Sequence, residues 1–287
     1  MSFTIMGGGA KGFFALFLSQ AGTSNTADAG RDVRMERHNM RDYMRDQMEH
    51  QMMFHTILWD VDQTLLDFEK SQDYALRFCF QNLHLNINDE IVRLYASIND
   101  SYWKRLERGE VTKKELLTGR FDALFEQLHI ETVTSADIAP MYQKALGSVY
   151  YYRDDSLALC RKLKGKVKQY VVTNGVSSTQ RNKLRLSGFD QVMDGIFISE
   201  EMNYEKPDVR FFEGCFKQIP DFRKEDALIV GDSLTSDMQG GNDAGIACCW
   251  YNPEGQRETR GLKIDYEIQN LWEVEEILSW QSPQTKN

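Results

Sequence analysis

The sequence predicts an α/β fold, a doubly wound parallel sheet with an all-helical domain inserted after its first strand. The apolar run Phe54–Trp59 is too short for an amphipathic helix and contains β-branched and aromatic residues, which indicates a buried parallel strand. Residues 70–150 then carry apolar residues at helical spacing. From Asp154 strand and helix patterns alternate, which is typical of a parallel sheet covered on both faces.

The individual elements follow in this order along the chain. Four stripes of apolar residues predict helices over Tyr74–Leu83, Ile91–Leu106, Leu116–Leu128 and Ile138–Val149, and the stripe Ile91–Leu106 follows i, i+3, i+4 spacing. Strands after the insertion are predicted at Gln169–Val172, Gly195–Ser199, Ala227–Val230, Ile246–Tyr251 and Ile264–Ile268. The helices between and after them are predicted at Ser156–Lys164, Ser178–Leu186, Pro207–Ile219, Met238–Ala244 and Trp272–Trp280.

These patterns also predict the domains. Residues 1–51 match neither pattern, and their apolar run Phe13–Leu18 is shorter than the core of a signal peptide, so we expect an unstructured leader or a mis-set start without assigned function. The predicted domains are a core (52–69 and 151–280), an inserted helical domain (70–150) and a loose tail (281–287).

Composition restricts the class of partner. The formal net charge of −9 over 287 residues argues against nucleic acid, which requires a basic face. An anionic substrate would therefore need local cations or a metal ion at its site. No stretch approaches the length of a membrane span. The five cysteines are odd in number and form no C-x-x-C motif, so we expect a cytoplasmic protein. The histidines form no metal-spaced pair, so we expect no zinc site. A monomer or small homo-oligomer is a separate expectation, since the sequence does not fix the oligomeric state.

Two carboxylates follow the first predicted strand directly. Asp60 and Asp62 are one residue apart where this strand leaves the sheet, and ligands of open α/β sheets bind outside the carboxyl ends of the strands. Such a pair can act as nucleophile and proton carrier, or can hold a hard cation. An isolated D-x-D is more often a polar turn. The rest of the chain favours the chemical interpretation.

Polar residues of matching chemistry follow three further predicted elements. Thr173 and Asn174 end one strand, and offer a hydroxyl and backbone N–H groups. Lys206 precedes a helix, and Asp232 follows another strand, with Asp237 five residues later. Each alone has an ordinary reading as a turn hydroxyl, a solvated lysine or a helix cap. Their common position at the mouth of the sheet predicts one cation-assisted pocket for a phosphate-sized ligand.

The ordered motifs D-x-D-x-T, T-N-G, K-P and G-D-x-x-x-x-D resemble the haloacid dehalogenase superfamily, in its Mg-dependent phosphatase branch with a helical cap. The resemblance covers about residues 53–279. It implies that Asp60 attacks phosphorus and that Asp62 protonates the leaving oxygen and then activates water. It also implies that Thr173 and Lys206 hold phosphoryl oxygens. The substrate is then a small phosphorylated molecule.

The same resemblance implies a Mg²⁺ site. Its ligands would be the Asp60 carboxylate, the Asp62 backbone carbonyl and Asp232, with Asp237 in support. Because a dehalogenase needs neither a metal site nor a second acid at position 62, we expect a phosphatase. Since Asp62 must carry a proton, we expect it to be less well neutralised than Asp60. Gln63 departs from the superfamily pattern, which usually has glycine there, and this puts fine positioning in doubt.

The inserted domain resembles the cap of bacterial pyrimidine 5′-nucleotidases that act on noncanonical nucleotides. The resemblance rests on Asn99–Trp103, Leu106–Val111, Thr118–Phe121, Ile198–Glu201 and Cys249-Trp250. It implies hydrolysis of UMP, dUMP, dTMP or modified pyrimidine monophosphates. Trp103 would stack on the base, and Asn99 or Arg120 would meet its edge or the sugar. The alternative is that Trp103 belongs to the cap core and that Arg120 is a surface residue or a buried ion-pair partner.

Two other functions remain open from the sequence. A sugar-phosphate phosphatase or phosphomutase would use the same scaffold. A non-catalytic phosphate-sensing or scaffold protein is a third possibility. It is disfavoured because every chemical position is filled, including Asp60 and Asp62, which a retired enzyme would be free to lose.

Overall fold

The computed structural model describes residues 53–279 except 258 and 260, so the predicted leader and tail lie outside the described residues. The strands are β1 (Thr56–Trp59), β2 (Lys168–Thr173), β3 (Gly195–Ile198), β4 (Ala227–Gly231), β5 (Ala247–Tyr251) and β6 (Tyr266–Ile268). In this part of the chain they form one parallel sheet of six strands with the order β3-β2-β1-β4-β5-β6. The predicted doubly wound parallel sheet is confirmed.

The central strand β1 sets the register of the sheet. All four of its residues are buried, and Trp59 lies opposite Val171 of β2 and Val230 of β4. Because these strands are parallel and in register, their carboxyl ends reach the same edge. Alternate side chains point to opposite faces, so that Trp59 packs in one apolar cluster and Leu58 in the other. Both faces of the sheet are therefore covered.

The sheet is flanked by the helices α5 (Ser156–Leu163), α6 (Ser177–Ser187), α7 (Ser199–Met202), α8 (Val209–Phe216), α9 (Gln239–Ala244) and α10 (Val274–Ser279). Pro207 was expected to open α8, but the helix begins after Asp208, whose carboxylate accepts a hydrogen bond from the Arg210 backbone N–H at 2.9 Å. The prediction also missed the π-helical turn Leu234–Met238. This turn holds one of the predicted site residues.

Four helices follow β1 before the chain returns to the sheet. They are α1 (Phe68–Asn82), α2 (Asp89–Glu107), α3 (Lys113–Leu128) and α4 (Ser135–Leu146). They enclose an apolar cluster of their own, separate from the two clusters on the sheet, in which Tyr95, Phe121 and Tyr142 form ring contacts with centroids 5.2–5.4 Å apart. The fold is thus a parallel core with a helical cap, while the boundaries at residues 70 and 150 remain predictions.

The two connections between the cap helices and the sheet are bonded to each other. The Asp67 N–H donates to the Tyr151 carbonyl at 2.8 Å, and the Arg153 N–H donates to the Leu65 carbonyl at 3.2 Å. Since both crossings between core and cap lie side by side, the cap is attached to the core at one narrow place.

All five cysteines are buried, and none forms a disulfide. Among the described residues, no helix is both long enough and apolar enough to cross a membrane.

Candidate active site

A cavity of about 290 Å³ lies at the carboxyl ends of β1, β2 and β4, between the sheet and the cap. Its sheet side is lined by the strand-end residues Asp60, Asp62, Thr173, Asn174, Lys206, Asp232 and Asp237. Its cap side includes Phe68, Gln72, Asn99, Trp103 and Glu107. The structure therefore brings together all the strand-end residues that the sequence singled out.

Lys206 is the positive centre of the sheet side. Its ammonium group is 1% exposed and contacts the carboxylates of Asp60 and Asp237 at 2.7 Å each and the Val172 carbonyl at 2.8 Å. Burial alone would lower the pKa of Lys206, but the two carboxylates raise it above its ordinary value. This lysine therefore stays charged at neutral pH.

Three carboxylates form a cluster beside this ammonium group, which contacts two of them. Oxygens of Asp60, Asp232 and Asp237 lie within 4.8 Å of one another. Burial raises the pKa of Asp60 to about 7. The positive charge of Lys206 acts to lower this pKa, and the negative charge of Asp237 acts to raise it further. Burial and the charges of Asp60 and Asp237 raise the pKa of Asp232 well above its ordinary value. The cluster has more negative charge than Lys206 neutralises, and clustered carboxylate oxygens are the donors that a hard divalent cation requires.

The local backbone explains how Asp237 reaches this cluster. The π-helical turn directs its carboxylate back toward β4, where Oδ2 accepts from the Ser233 N–H at 3.1 Å. A Cβ atom at Gly231 would lie 2.3 Å from that oxygen, so only glycine fits at the end of β4. The glycine of the G-D motif thus makes room for the fourth acidic residue of the site.

Thr64 holds Asp232 in place. Its hydroxyl is fully buried, accepts from the Asp232 backbone N–H at 3.1 Å and donates to Asp232 Oδ1 at 3.2 Å. The threonine of the D-x-D-x-T motif therefore links β1 to the end of β4.

Asn174 uses its side chain to position Lys206. Its amide donates to the Lys206 carbonyl and accepts from the Lys206 N–H, both at 2.8 Å. Thr173 is 1% exposed at the end of β2 and lines the cavity. Asn174 thus supports the lysine with its side chain, and phosphate binding by its backbone N–H remains a prediction.

Asp62 is bonded to α6. Its carboxylate accepts from the ammonium group of Lys183, which is fully buried, and from Gln180 Nε2 at 2.5 Å. Asp62 was expected to be less well neutralised than Asp60, and this expectation is wrong for the arrangement seen here. Each has one lysine, and Asp60 shares its lysine with Asp237. Gln180 and Lys183 were not predicted, although their i, i+3 spacing places them on one face of α6.

Gln63 supports the start of the cap. It has a left-handed backbone with φ of 68°, and its side-chain Oε1 accepts from the N–H groups of Phe68 at 2.8 Å and Glu69 at 3.2 Å. These are donors that the first turn of α1 leaves without helical partners. The departure from glycine at this position therefore serves the cap helix.

The cap residues divide into two groups. Asn99 and Trp103 line the cavity, as predicted, but Arg120 does not. Arg120 lies behind Asn99, 1% exposed, with its guanidinium packed over the rings of Phe121 and Tyr142 at 5.2 and 4.9 Å. The direct contact predicted for Arg120 is wrong, because its helix turns this side chain into the cap core.

Gln72 and Glu107 of the cap also line the cavity, and neither was predicted. Gln72 of α1 is 4% exposed, and the sequence around it resembles a solvated helix. Glu107 ends α2, and burial together with the nearby Asp237 raises its pKa, while a hydrogen bond from Thr235 lowers it. Only the packing of α1 and α2 over the sheet brings these two side chains to the cavity.

Comparison with known proteins agrees with this arrangement. The family model described as haloacid dehalogenase-like hydrolase matches residues 54–245. The HAD-hydrolase YfnB of Bacillus subtilis is 35% identical over 226 residues, covering 79% of this chain and 96% of that protein. The pyrimidine 5′-nucleotidase PynA of Streptococcus pneumoniae is 33% identical over 228 residues, covering 79% and 96%. The pyrimidine 5′-nucleotidase YjjG of Escherichia coli is 27% identical over 227 residues, covering 79% and 99%.

Solved structures show the same fold. The crystal structure of YfnB, 35% identical, superimposes with a TM-score of 0.76 and covers 79% of this chain and 99% of that one. That protein was crystallised with magnesium, and its structure is described as revealing interdomain movement. The L-2-haloacid dehalogenase of Xanthobacter autotrophicus, at 14% identity and a TM-score of 0.63, shares the fold alone.

Proposed function

Because this chain belongs to the haloacid dehalogenase-like hydrolases, we propose that it is a Mg²⁺-dependent phosphomonoester hydrolase that cleaves pyrimidine nucleoside 5′-monophosphates. One observation carries the proposal. Asp60 forms an ion pair with Lys206 and belongs to a cluster with Asp232 and Asp237. This cluster lines the sheet side of a cavity, and Trp103 lines its cap side. A nucleophile, a cation site and an aromatic surface thus face one space.

The donor set fits Mg²⁺. Asp60, Asp232 and Asp237 offer oxygens within 4.8 Å of one another, with negative charge that Lys206 neutralises only in part. By the family resemblance, the Asp62 carbonyl would add a further oxygen. When bound there, Mg²⁺ supplies the positive charge that allows the Asp60 carboxylate to approach an anionic phosphoryl group.

In the proposed reaction, an oxygen of Asp60 attacks phosphorus and the P–O bond to the nucleoside breaks. Asp62 gives its proton to the leaving 5′-oxygen, so that a neutral nucleoside departs and an aspartyl phosphate remains. Asp62 then accepts a proton from water, whose oxygen attacks phosphorus and releases Asp60 and inorganic phosphate. Thr173 and Lys206 hold phosphoryl oxygens through both steps. Lys183 and Gln180 keep the Asp62 carboxylate in place between turnovers.

The choice of nucleotide rests on the relatives and on the cap. PynA and YjjG are named as pyrimidine 5′-nucleotidases. In this chain Trp103 and Phe68 present aromatic surface to the cavity, and Asn99 and Gln72 present amides. An aromatic face with a few placed polar groups is typical of a site for a small planar ring.

The proposal predicts Mg²⁺-dependent phosphate release from UMP, dUMP and dTMP that exceeds release from sugar phosphates. EDTA should abolish turnover, and added Mg²⁺ should restore it and raise the midpoint of thermal unfolding, because the ion binds the folded state. Inorganic phosphate is measured across both substrate classes, with and without EDTA. Release from sugar phosphates but not from nucleotides would change the substrate class, and full activity in EDTA would refute the metal requirement.

Replacing Asp62 by asparagine tests the proton carrier. We expect phosphate release from UMP to fall by roughly 10²–10⁴-fold, because the leaving 5′-oxygen is strongly basic and needs a proton. In the first step, measured as the single-turnover release of the leaving group, the loss should be much smaller with p-nitrophenyl phosphate, whose leaving group departs without a proton. Asn keeps the size of Asp62 and its contact with Lys183. Equal losses in this first step with the two substrates would show that residue 62 does not act as the acid.

A further inference from the structure

Three polar side chains form a hydrogen-bonded row from the cap core to the cavity. Arg120 Nη1 donates to Asn99 Oδ1 at 2.7 Å, and Asn99 Nδ2 donates to Gln72 Oε1 at 2.9 Å. Arg120, Asn99 and Gln72 are 1%, 3% and 4% exposed. Only Asn99 and Gln72 reach the cavity, and Arg120 stands behind them.

The direction of every hydrogen bond in this row is fixed by Arg120. A guanidinium group donates and never accepts, so the atom of Asn99 that faces it must be the oxygen. The Asn99 nitrogen is then turned to Gln72, whose facing atom must in turn be its oxygen. Each amide oxygen is occupied by its neighbour, and the Gln72 Nε2 group has no partner among the described residues.

Burial makes this polarity difficult to reverse. If the Asn99 amide flipped, its NH₂ group would face the guanidinium group, and two donors would meet in a buried site. Arg120 is itself packed against the rings of Phe121 and Tyr142, which stabilise the cation. The cap therefore presents N–H donors to the cavity in a fixed orientation.

We infer that Gln72 and Asn99 bind a carbonyl oxygen of the substrate, and that Arg120 is the positioning residue that sets their polarity. This inference rests on the proposed function and adds a basis for selection among bases. A ring carbonyl, such as O4 of uracil, accepts from these donors. An amino group at the same position, as in cytosine, would face donors and lose its hydrogen bond.

Other cap residues of the cavity are less suited than Gln72 and Asn99 to distinguish a carbonyl from an amino group. Phe68 and the ring face of Trp103 supply apolar surface, which does not distinguish a carbonyl from an amine. Asp100, the acidic neighbour of Asn99, is bonded to Lys104 at 2.5 Å, and Glu107 is bonded to Thr235 and lies near the carboxylate floor. Discrimination at the ring edge is therefore assigned to the donors of Gln72 and Asn99.

The test compares UMP with CMP in the wild-type protein and in Gln72→Glu, which replaces the free donor by an acceptor of the same size. We expect the wild type to prefer UMP in kcat/KM by roughly tenfold, the value of one well-placed hydrogen bond. The Gln72→Glu protein should lose that preference, measured as the ratio of kcat/KM for UMP to kcat/KM for CMP, because a carboxylate at position 72 no longer donates to a carbonyl. Gln81→Glu, the same change at an exposed position of α1 outside the cavity, is the matched control.

Arg120→Met and Arg120→Lys test the positioning role. Without the guanidinium group Asn99 is free to flip, so Arg120→Met should reduce the preference for UMP, and Arg120→Lys, which keeps a donor, should retain part of it. Retained preference in Arg120→Met would overturn the role of Arg120. An unchanged preference in Gln72→Glu would overturn the inference about the amide pair while leaving the nucleotidase proposal intact.

A binding measurement separates this inference from the proposed reaction. Calorimetric titration of UMP and CMP into Asp60→Asn protein, with and without Gln72→Glu, reports base selection without turnover. Tighter binding of UMP that disappears with Gln72→Glu supports the donor pair even if no nucleotide is hydrolysed. Equal binding of UMP and CMP overturns it, even if both are good substrates.

Discussion

Asp60→Asn is expected to reduce phosphate release from UMP by roughly 10⁴-fold or more, with the fold intact. An amide is too weak a nucleophile to attack phosphorus, and no neighbouring group described here takes its place, since Asp232 and Asp237 are held by Thr64 and Lys206. Steady-state kinetics with UMP give the loss, and circular dichroism confirms the fold.

The same variant should also change thermal stability. The sign of this change shows whether the Asp60 carboxylate repels its acidic neighbours or is needed to hold the fold. Asparagine keeps an oxygen for Lys206 and removes one of three crowded carboxylates. In EDTA, the midpoint of thermal unfolding should therefore equal or exceed that of the wild type, because mutual repulsion of the acids is relieved. The stabilisation by Mg²⁺ should shrink. Unchanged turnover would refute the nucleophile, and a large loss of stability in EDTA would refute the charge argument.

Lys206→Met is expected to abolish activity and to destabilise the fold by about 3–5 kcal/mol, because it leaves buried carboxylates without a counter-charge. The lysine is 1% exposed and contacts Asp60 and Asp237 at 2.7 Å each. Because the site is buried, solvent in the variant cannot fully compensate for the lost positive charge. Urea unfolding in EDTA measures the free energy of unfolding. Added Mg²⁺ should recover part of the loss, because a cation at the cluster supplies the missing charge.

The control for this variant is Lys168→Met at the exposed start of β2. Lys168 has a side chain that is 66% exposed and lies 3.4 Å from Asp194, and exposed ion pairs of this kind contribute little. Its removal should leave both stability and turnover close to wild type. A Lys206→Met protein as stable as the Lys168→Met protein would show that the carboxylate cluster does not depend on Lys206.

The sheet edge of the site was predictable from the sequence for a physical reason. Parallel strands in register end at a common rim, so polar residues that follow buried apolar runs must meet there. Asp60, Thr173 and Asp232 each follow such a run, and Lys206 stands before a helix at the same rim. The local sequence pattern and the parallel topology together were sufficient to predict that these residues lie at one site.

The supporting residues were not predictable in this way, because they depend on how helices pack. Lys183 belongs to a helix that looks basic and solvated, yet it is fully buried against Asp62, 121 residues away in the sequence. Gln72 and Arg120 meet only through Asn99, between three helices of the cap. A sequence gives the apolar face of each helix but not which polar side chain lies against a distant partner.

Gln63 joins the reactive turn to the cap. Its backbone lies directly after Asp62, while its side-chain oxygen holds the first two N–H groups of α1. A glycine at this place would leave helix and turn free to shift independently. With glutamine, we expect any tilt of α1 to move the peptide beside Asp62, the proposed proton carrier. If the proposed function holds, closing of the cap over a substrate and alignment of the acid with its leaving group would be coupled through this one side chain.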